Sequence, residues 1–541
     1  MTHQDSKQLD HTLARDLIRR QESLAAERAT LDHLWQEIAE LMQPMRADFT
    51  HLRQPGEKRS QKIFDGTAGQ AAENLAAGLW GLITNAANDW FTLRADLAEE
   101  EEAQETKLWL DEVTRRMRAS FAGNGQRFYA RVMELYADLV TFGTGVFYVE
   151  EDAETGRAHY SCRHLAECFV AENARDEIDT VFRRFQFTAR QAVARWGEAC
   201  HPAIQRALEK EPDRRFTFLH AVMPRDEAGP QKRGTAMAFA SQYVDVEHGQ
   251  LLSDGGYHEF PYQVPRWSTG SRGIYGDSPA MLALPDVKML NAMSKTTIIA
   301  AQKAVDPPLL AIDEIAVRGL RTHPGGIIYG GLDENGRRRY EPLQSGGNIG
   351  LGLELEEQRR DAVRQAFYFS LLMMVQQPNQ TATEVLARQE EKLRLMGPHL
   401  GRIQAEFLDP LIRRQFGIMR RGGQLPPPPR QLRERGIRID CVSPLARAQR
   451  AGEGAAIVRA LESLAPIGAI KPEIYDNIDA DAAARALAQS FGAPNILLRT
   501  KAAVEELRAA EKDAAPAMPG GDAAGGDLLG NLGAMLGGNA A

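Results

Sequence analysis

The sequence predicts a mainly helical α+β protein assembled from more than one domain. Three observations predict it. Apolar residues recur at helical spacing over long stretches near the start and in the middle of the chain, whereas the stretch from Gly145 to about Trp267 turns to short β-branched and aromatic runs. Aromatics are only 7% of the residues while Ala and Leu are prominent, which favours helix. At 541 residues the chain exceeds what one core serves, so two to four domains are expected.

In chain order, Leu13, Leu17, Leu24, Leu31, Leu34, Ile38 and Leu41 recur at spacings of three, four and seven, a first helix that Pro44 stops. A polar basic loop over 54–62 follows. The Ala- and Gly-rich stretch 67–84 predicts a second, closely packed helix, with a third over 99–121 and a fourth over 127–142. Runs at 146–150, 180–188, 216–222 and 242–246 read as strands separated by Gly, Asp and Pro turns, with a helix over 189–206 between them. Ser278 then caps a long helix with Pro279 at its first position. That helix meets a possible kink at Pro285 and is ended by Pro307 and Pro308 after Asp306.

Residues 309–352 form a compact insert rich in turns, among them His323-Pro324-Gly325-Gly326 and Ser345-Gly346-Gly347. A second long helix is expected over 353–376, with Val363, Ala366, Phe367, Ser370 and Met374 as its buried stripe. Each long helix spans roughly 30–40 Å. Together they form a rod pair carrying a head, an arrangement more natural for a protruding stalk than for an enzyme. After the polar loop Gln376-Gln377-Pro378-Asn379-Gln380, the capping box Thr381-Ala382-Thr383-Glu384 opens a third long helix toward Arg421. Gly397-Pro398 and Asp409-Pro410 should kink it. Pro426 to Pro429 read as a polyproline spacer. A strand over 437–442 and two or three helices between 444 and 510 read as a last small domain. The Gly/Ala-rich tail 512–541 is expected to be disordered.

The 43% hydrophobic and 26% charged fractions are those of an ordinary globular protein. Residues 1–11 hold no apolar core of the secretory kind. The uncharged run 365–383 has an apolar part, 367–375, about half the ~20 residues that span a bilayer, so no membrane insertion is expected. Four cysteines are too few and scattered for a disulfide framework, which suits assembly in a reducing cytoplasm. A net charge of −8 argues against a protein that grips DNA through a large basic face, yet not against one that DNA slides past.

Several fragments imitate enzyme motifs and fail. Ile63-Phe64-Asp65-Gly66-Thr67 has the end of a phosphatase-type loop, but Ile63 stands where the attacking carboxylate belongs, so a turn and helix cap is the better reading. Gly143-Thr144-Gly145 lacks the third glycine of a dinucleotide site, and Ser294-Lys295-Thr296 lacks the glycines of a phosphate loop. Gly276-Asp277-Ser278 resembles an esterase turn without a partner histidine motif, and capping explains Ser278. Cys162, His164, Cys168, Cys200 and His201 do not follow zinc spacing and read as buried thiols with neighbours. Glu99–Glu102 reads as a solvated helix start. No catalytic residue, metal site or cofactor is predicted. Lys288, Lys295 and Lys303 lie within about 80° of one another on the first long helix. They form either a solvated outer face or stacked lysine rings touching phosphates in a channel.

A series of fragments carries a resemblance. It runs from Ile63-Phe64-Asp65-Gly66-Thr67-Ala68 and Trp90-Phe91-Thr92-Leu93 through Phe142-Gly143-Thr144-Gly145 to Phe260-Pro261-Tyr262 and Pro265-Arg266-Trp267. It continues with Tyr275-Gly276-Asp277-Ser278-Pro279, Thr381-Ala382-Thr383-Glu384-Val385, Gly397-Pro398 and Ser443-Pro444-Leu445-Ala446. In order and separation these resemble the head-to-tail connector, or portal, family of short-tailed (podovirus-type) bacteriophages, over roughly residues 10–450. The resemblance implies a non-enzymatic ring, usually of twelve subunits, at one capsid vertex of the virion. Double-stranded DNA passes through it in packaging and ejection. It implies a wing over 1–276, stem helices over 277–306 and 353–376 and a clip over 307–352. A tunnel loop and returning kinked helix would fill 377–440 and a crown 441–511.

Under that reading Lys288, Lys295, Lys303, Gln376, Gln377, Asn379 and Gln380 would line the channel. Arg321, His323, Arg337, Arg338 and Arg339 of the clip would dock the terminase packaging motor and later the tail adaptor and tail proteins. Major capsid and scaffolding proteins are further expected partners, with assembly in the host cytoplasm. The competing readings are another virion component, such as a tail adaptor or internal core protein, and a hydrolase using Ser278 or Asp65.

Overall fold

The computed structural model of the protein describes residues 3–51, 54, 56–87, 89–95, 104–123, 127–152, 155–227, 237–270, 273–311, 327, 329, 331–332, 335–343, 349–369, 395–432, 437–441, 454–464, 466, 471, 478–490, 499, 504 and 506–510. The chain opens with α1, His3–Met42, a helix of 40 residues and roughly 60 Å. Its predicted stripe serves three cores in succession. Leu13, Leu17 and Leu24 pack with Phe182 and Leu219. Leu31 and Trp35 meet Phe142 and Tyr148, and Leu34, Ile38 and Leu41 reach the main core. Arg28, nearly fully buried, donates to the carbonyls of Leu165, Ala166 and Cys168, pairs with Asp32 at 3.0 Å and lies 3.9 Å from the Phe169 ring centre. An unpaired guanidinium there would be very costly.

The next helices are α2, Thr67–Ile83, α3, Gln104–Ala122, and α4, Phe128–Phe142, with strand β1, Phe91–Ala95, between α2 and α3. Strand β2, Val146–Asp152, pairs antiparallel with β3, Arg157–Arg163. A five-stranded antiparallel meander follows: β4, Cys168–Glu172; β5, Ile178–Thr188; β6, Arg215–Pro224; β7, Phe239–Asp245; and β8, Gln250–Tyr257. Alternation sends Phe182, Leu219 and Val244 to the face under α1. Phe185, Phe218 and Tyr243 go to the opposite face. That second face is covered by α5, Ala189–Trp196, and α6, Pro202–Lys210. The single helix expected over 189–206 is therefore two. Gly197 at φ +54° ends the first, and Pro202 opens the second. Strand β9, Tyr262–Gln263, returns to β2.

The long helix α7, Pro279–Val305, begins at Ser278, whose side chain accepts from Met281 N, and continues through Pro285. Strands β10, Leu309–Ala311, and β11, Tyr340–Pro342, then pair antiparallel as the base of the insert. The second long helix, α8, Ile349–Ala366, starts earlier than predicted. Residues 367 and 368 form a turn, with Tyr368 at φ +54°; Phe367 there is fully buried and the Tyr368 hydroxyl lies 3.4 Å from His399. The described part of the third long helix covers 395–403. It passes through a π-helical turn, Gln404–Leu408, into α9, Asp409–Arg421. The wide turn sits where Pro410 has no N–H for the carbonyl of residue 406.

Strand β12, Ile437–Cys441, corrects a second expectation. It is no part of a separate closing domain but pairs antiparallel with β1, Phe91 opposite Cys441 and Leu93 opposite Ile439. One main core joins α2, α4, α7, α8 and α9 through Leu75, Leu135, Leu290, Val363 and Leu411.

Candidate functional site: the paired long helices and their seating

Helices α7 and α8 pack along each other through Val287, Leu290 and Val363, with Gly352 set close to Thr297. A polar lock fixes their register. Ser294 Oγ, buried, donates to Glu356 Oε2 at 3.1 Å. Arg360 reaches Glu356 at 2.9 Å and Asp65 at 2.9 Å. Asp65 also accepts from Thr67 N at 2.9 Å. Burial alone would raise the Asp65 carboxyl, but the hydrogen bonds from Thr67 and Arg360 outweigh it and hold it below the usual carboxylate range. One turn earlier, Asn291 donates to Lys62 O at 2.8 Å and accepts from Phe64 N at 2.7 Å. The Ile63–Thr67 fragment is thus a clasp holding both long helices against α2. The residue preceding α2 is Gly66, and Asp65 makes a turn instead of a helix cap.

A second cluster seats the start of α7. Gly143, at φ +77°, lies so close to Gly276 that a Cβ on either would meet the other's carbonyl oxygen, at 2.1 and 2.3 Å. Only glycine fits this approach. Gly276 N donates to Thr144 Oγ1 at 2.8 Å, and Trp267 N to Gly143 O at 2.8 Å. Buried Arg266 binds Glu406 of the π turn at 2.9 Å and Glu172 of β4 at 3.1 Å. It also donates to the carbonyls of Ile274 and Asp176. His399 stacks on Trp267 with ring centres 4.3 Å apart and contacts its carbonyl at 3.0 Å. Sheet, stem-like helix and kinked helix therefore meet at one fully bonded junction.

The candidate nucleophiles are occupied. Ser278 Oγ donates to Thr141 O at 2.9 Å while accepting from Met281 N at 3.0 Å, so neither its proton nor its lone pair faces a base. Burial raises the Cys162 and Cys200 thiols and pushes Cys168 up to about 12, the environment of inert thiols. Among the described residues no group of three or more His, Cys, Asp and Glu could hold a metal ion. Likewise, no described helix is long and apolar enough to cross a membrane.

The lysines of α7 are all exposed, yet two have neighbours within the chain. Lys288 pairs with Glu37 of α1 at 2.6 Å, and Lys295 lies 5.5 Å from the Phe64 ring centre. Lys303 sits in the last turn, beside the insert. Arg337, Arg338 and Arg339 are exposed on the approach to β11. Gln376, Gln377, Asn379, Gln380, Arg321 and His323 lie outside the described residues. Sequence reasoning missed Asn291, Arg360, Glu406 and His399. The Glu356/Arg360 spacing of four was a readable signal, whereas nothing local marks Glu406 as the partner of Arg266.

The sequence matches the family described as "Bacteriophage head to tail connecting protein" over residues 14–498. It is 33% identical over 494 residues to the probable portal protein of Bordetella phage BPP-1, covering 88% of this chain and 87% of that one. To the portal protein of Salmonella phage epsilon15 it is 29% identical over 524 residues, covering 94% and 93%. Solved structures it resembles include one from a native gene transfer agent virion, at 13% identity and TM-score 0.34, covering 78% of this chain and 88% of that one. Another comes from the neck of an empty gene transfer agent particle, at 12% identity and TM-score 0.35, covering 72% and 84%. With the match running unbroken through both long helices, the insert between them and the kinked helix, the chain belongs to the bacteriophage head-to-tail connecting, or portal, protein family and is a virion component of the portal vertex.

Proposed function

We propose that copies of this chain close into a ring, of twelve in the expected case, around a channel that passes double-stranded DNA into the head and later out of it. The mechanism is geometric and needs no catalytic group. The observation that carries this reading is the family match over residues 14–498, which includes α7, the insert and α8 as one continuous unit. Rotational closure supplies the pore. A predominantly negative protein, −8 per copy, discourages lasting adhesion of phosphates to its walls.

In this reading residues 1–276 are the wing, 277–306 and 353–376 the stem and 307–352 the clip. Residues 377–440 hold the tunnel loop and returning helix, and 441–511 the crown. The clip, with Arg321, His323, Arg337, Arg338 and Arg339, docks the packaging motor and later the tail adaptor. Capsid and scaffolding proteins contact the outer face. Lys288, Lys295 and Lys303, together with Gln376, Gln377, Asn379 and Gln380, are proposed to line the channel. Replacing the three lysines by alanine should leave assembly intact and weaken the salt dependence of DNA retention. A ring whose lysines point away from the lumen removes that role.

Negative-stain microscopy of the purified full chain tests the main reading. Rings with a central hole are expected, and monomers or small dimers at every salt concentration count against it. Deleting 309–352 separates a portal from another virion component: rings should persist while motor docking is lost.

A further inference from the structure

We propose that the start of α1, the N-terminus of α6 and the β7–β8 turn form a proton-operated fastener, closed at neutral pH and opened in mild acid when His201 and His248 both become charged. His201 and His248 stack with ring centres 3.8 Å apart and planes 18° from parallel. His201 caps α6, its Nδ1 accepting from Ala203 N at 3.3 Å. His248 sits in the turn between β7 and β8, with Nδ1 2.7 Å from Oδ2 of fully buried Asp245. The same turn holds α1, because His11 Nδ1 lies 2.9 Å from Gly249 O. Imidazoles from three separate elements therefore meet at one turn.

A proton is not equally welcome on the two stacked rings. On His248 it is matched by Asp245. On His201 it must go to Nδ1, because the nitrogen that accepts from Ala203 N carries no hydrogen in the neutral ring. That proton removes the cap, places a cation at the positive end of a helix and sets like charges face to face.

No carboxylate is bonded to His201 among the described residues. Asp245 bears most on it, but its Oδ2 is held by His248 and its Oδ1 by the backbone N–H groups of Glu247 and His248. Glu247 accepts from Thr217 N at 3.3 Å. Glu198, three residues before His201, is exposed, and Asp10, beside His11 on α1, is already engaged. Arg206 of α6 and His11 add positive charge. Burial and His248 outweigh Asp245 and hold the His201 imidazole below its ordinary range. Neutral His201 belongs to the folded arrangement. The fastening is therefore complete above about pH 6.5 and is lost as pH falls below it. Stacked rings also turn their faces, not their lone pairs, to each other, an arrangement that meets a proton and not a metal ion.

The opening is local. Ile204 and Ala207 keep α6 on its sheet face, and Gln250 still donates to Ala199 O at 3.0 Å. From Leu13 onward α1 stays seated beside Phe182 and Leu219.

Hydrogen exchange of the full-length protein tests this, corrected for the effect of pH on chemical exchange and run where sedimentation finds one assembly state at both pH values. Between pH 7.5 and 5.5, protection of the amides of 10–14 and 203–206 should fall by about tenfold or more while β6 keeps its own. His201→Asn retains a capping acceptor that cannot be charged, and should hold protection at pH 5.5 within about twofold of that at pH 7.5. His201→Ala, which loses the cap outright, should exchange rapidly over 203–206 already at pH 7.5. Equal protection of the parent at both pH values overturns the fastener. So does an undiminished fall in His201→Asn, or a loss that extends equally to β6, which is acid unfolding of the whole chain.

Discussion

At the residue scale the most constrained pair is Gly143 and Gly276. Both stood out in the sequence as pieces of motifs, and both motifs fail as chemistry. Their use is steric, because two backbone segments far apart in sequence touch where any Cβ would collide. No local pattern announces that, since the partner of each glycine is more than a hundred residues away. Gly276→Ala should therefore destabilise the fold by more than about 1 kcal/mol and lower the unfolding midpoint by several degrees. Gly81→Ala provides the contrast. This glycine lies inside α2 with open space where a Cβ would go, so alanine there should gain up to about 1 kcal/mol. Scanning fluorimetry of the two variants beside the parent checks both signs. Equal shifts would mean that the close approach does not govern stability at Gly276.

At the element scale, what the sequence disclosed is what short-range spacing encodes. The α1 stripe, the cap at Ser278 and the alternation of the meander strands follow from residues three, four or two apart. The β1–β12 pairing, the turn at Phe367 and Tyr368 after α8 and the Arg266–Glu406 bridge are set by distant partners, and so escaped. The clasp at Asp65 is of the same kind, with Arg360 of α8 as its far partner, and it makes a pH-dependent prediction. Asp65 is held below its ordinary value in the folded chain. Its contribution is therefore present in full above the unfolded carboxyl range, near pH 4, and is lost as pH falls through the lower folded value. Asp65→Asn keeps an acceptor for Thr67 N but loses the ion pair with Arg360. The gap in unfolding midpoint between parent and variant should be constant from about pH 5 to 8 and close below about pH 4. A gap independent of pH down to the acid limit would show that the carboxylate charge does not hold α8 to the clasp.

At the scale of the whole molecule, the distribution of exposed apolar side chains argues that a single copy is an incomplete object. Among the described residues, fourteen of the nineteen large hydrophobic residues left exposed fall between Leu282 and Leu355, on α7, the insert and the start of α8. Scattered singly such residues need no explanation, but concentrated on one paired-helix segment they mark a surface that another protein covers. Neighbouring stems of a ring are that cover in the reading proposed above. Ile298 and Leu353, 43% and 51% exposed, sit on the two helices concerned. Because each already faces solvent in the isolated chain, Ile298→Glu and Leu353→Glu should change the stability of the unassembled chain by no more than about 0.5 kcal/mol. Within a ring the same substitutions bury an unpaired carboxylate and should prevent closure. Size-exclusion chromatography with light scattering should then find monomer where the parent gives ring, with unfolding midpoints nearly unchanged when parent and variants are compared as monomers at low concentration. Rings of normal size and stability in both variants would place the subunit contact elsewhere and leave the exposed apolar stretch to a different partner, the tail or the motor.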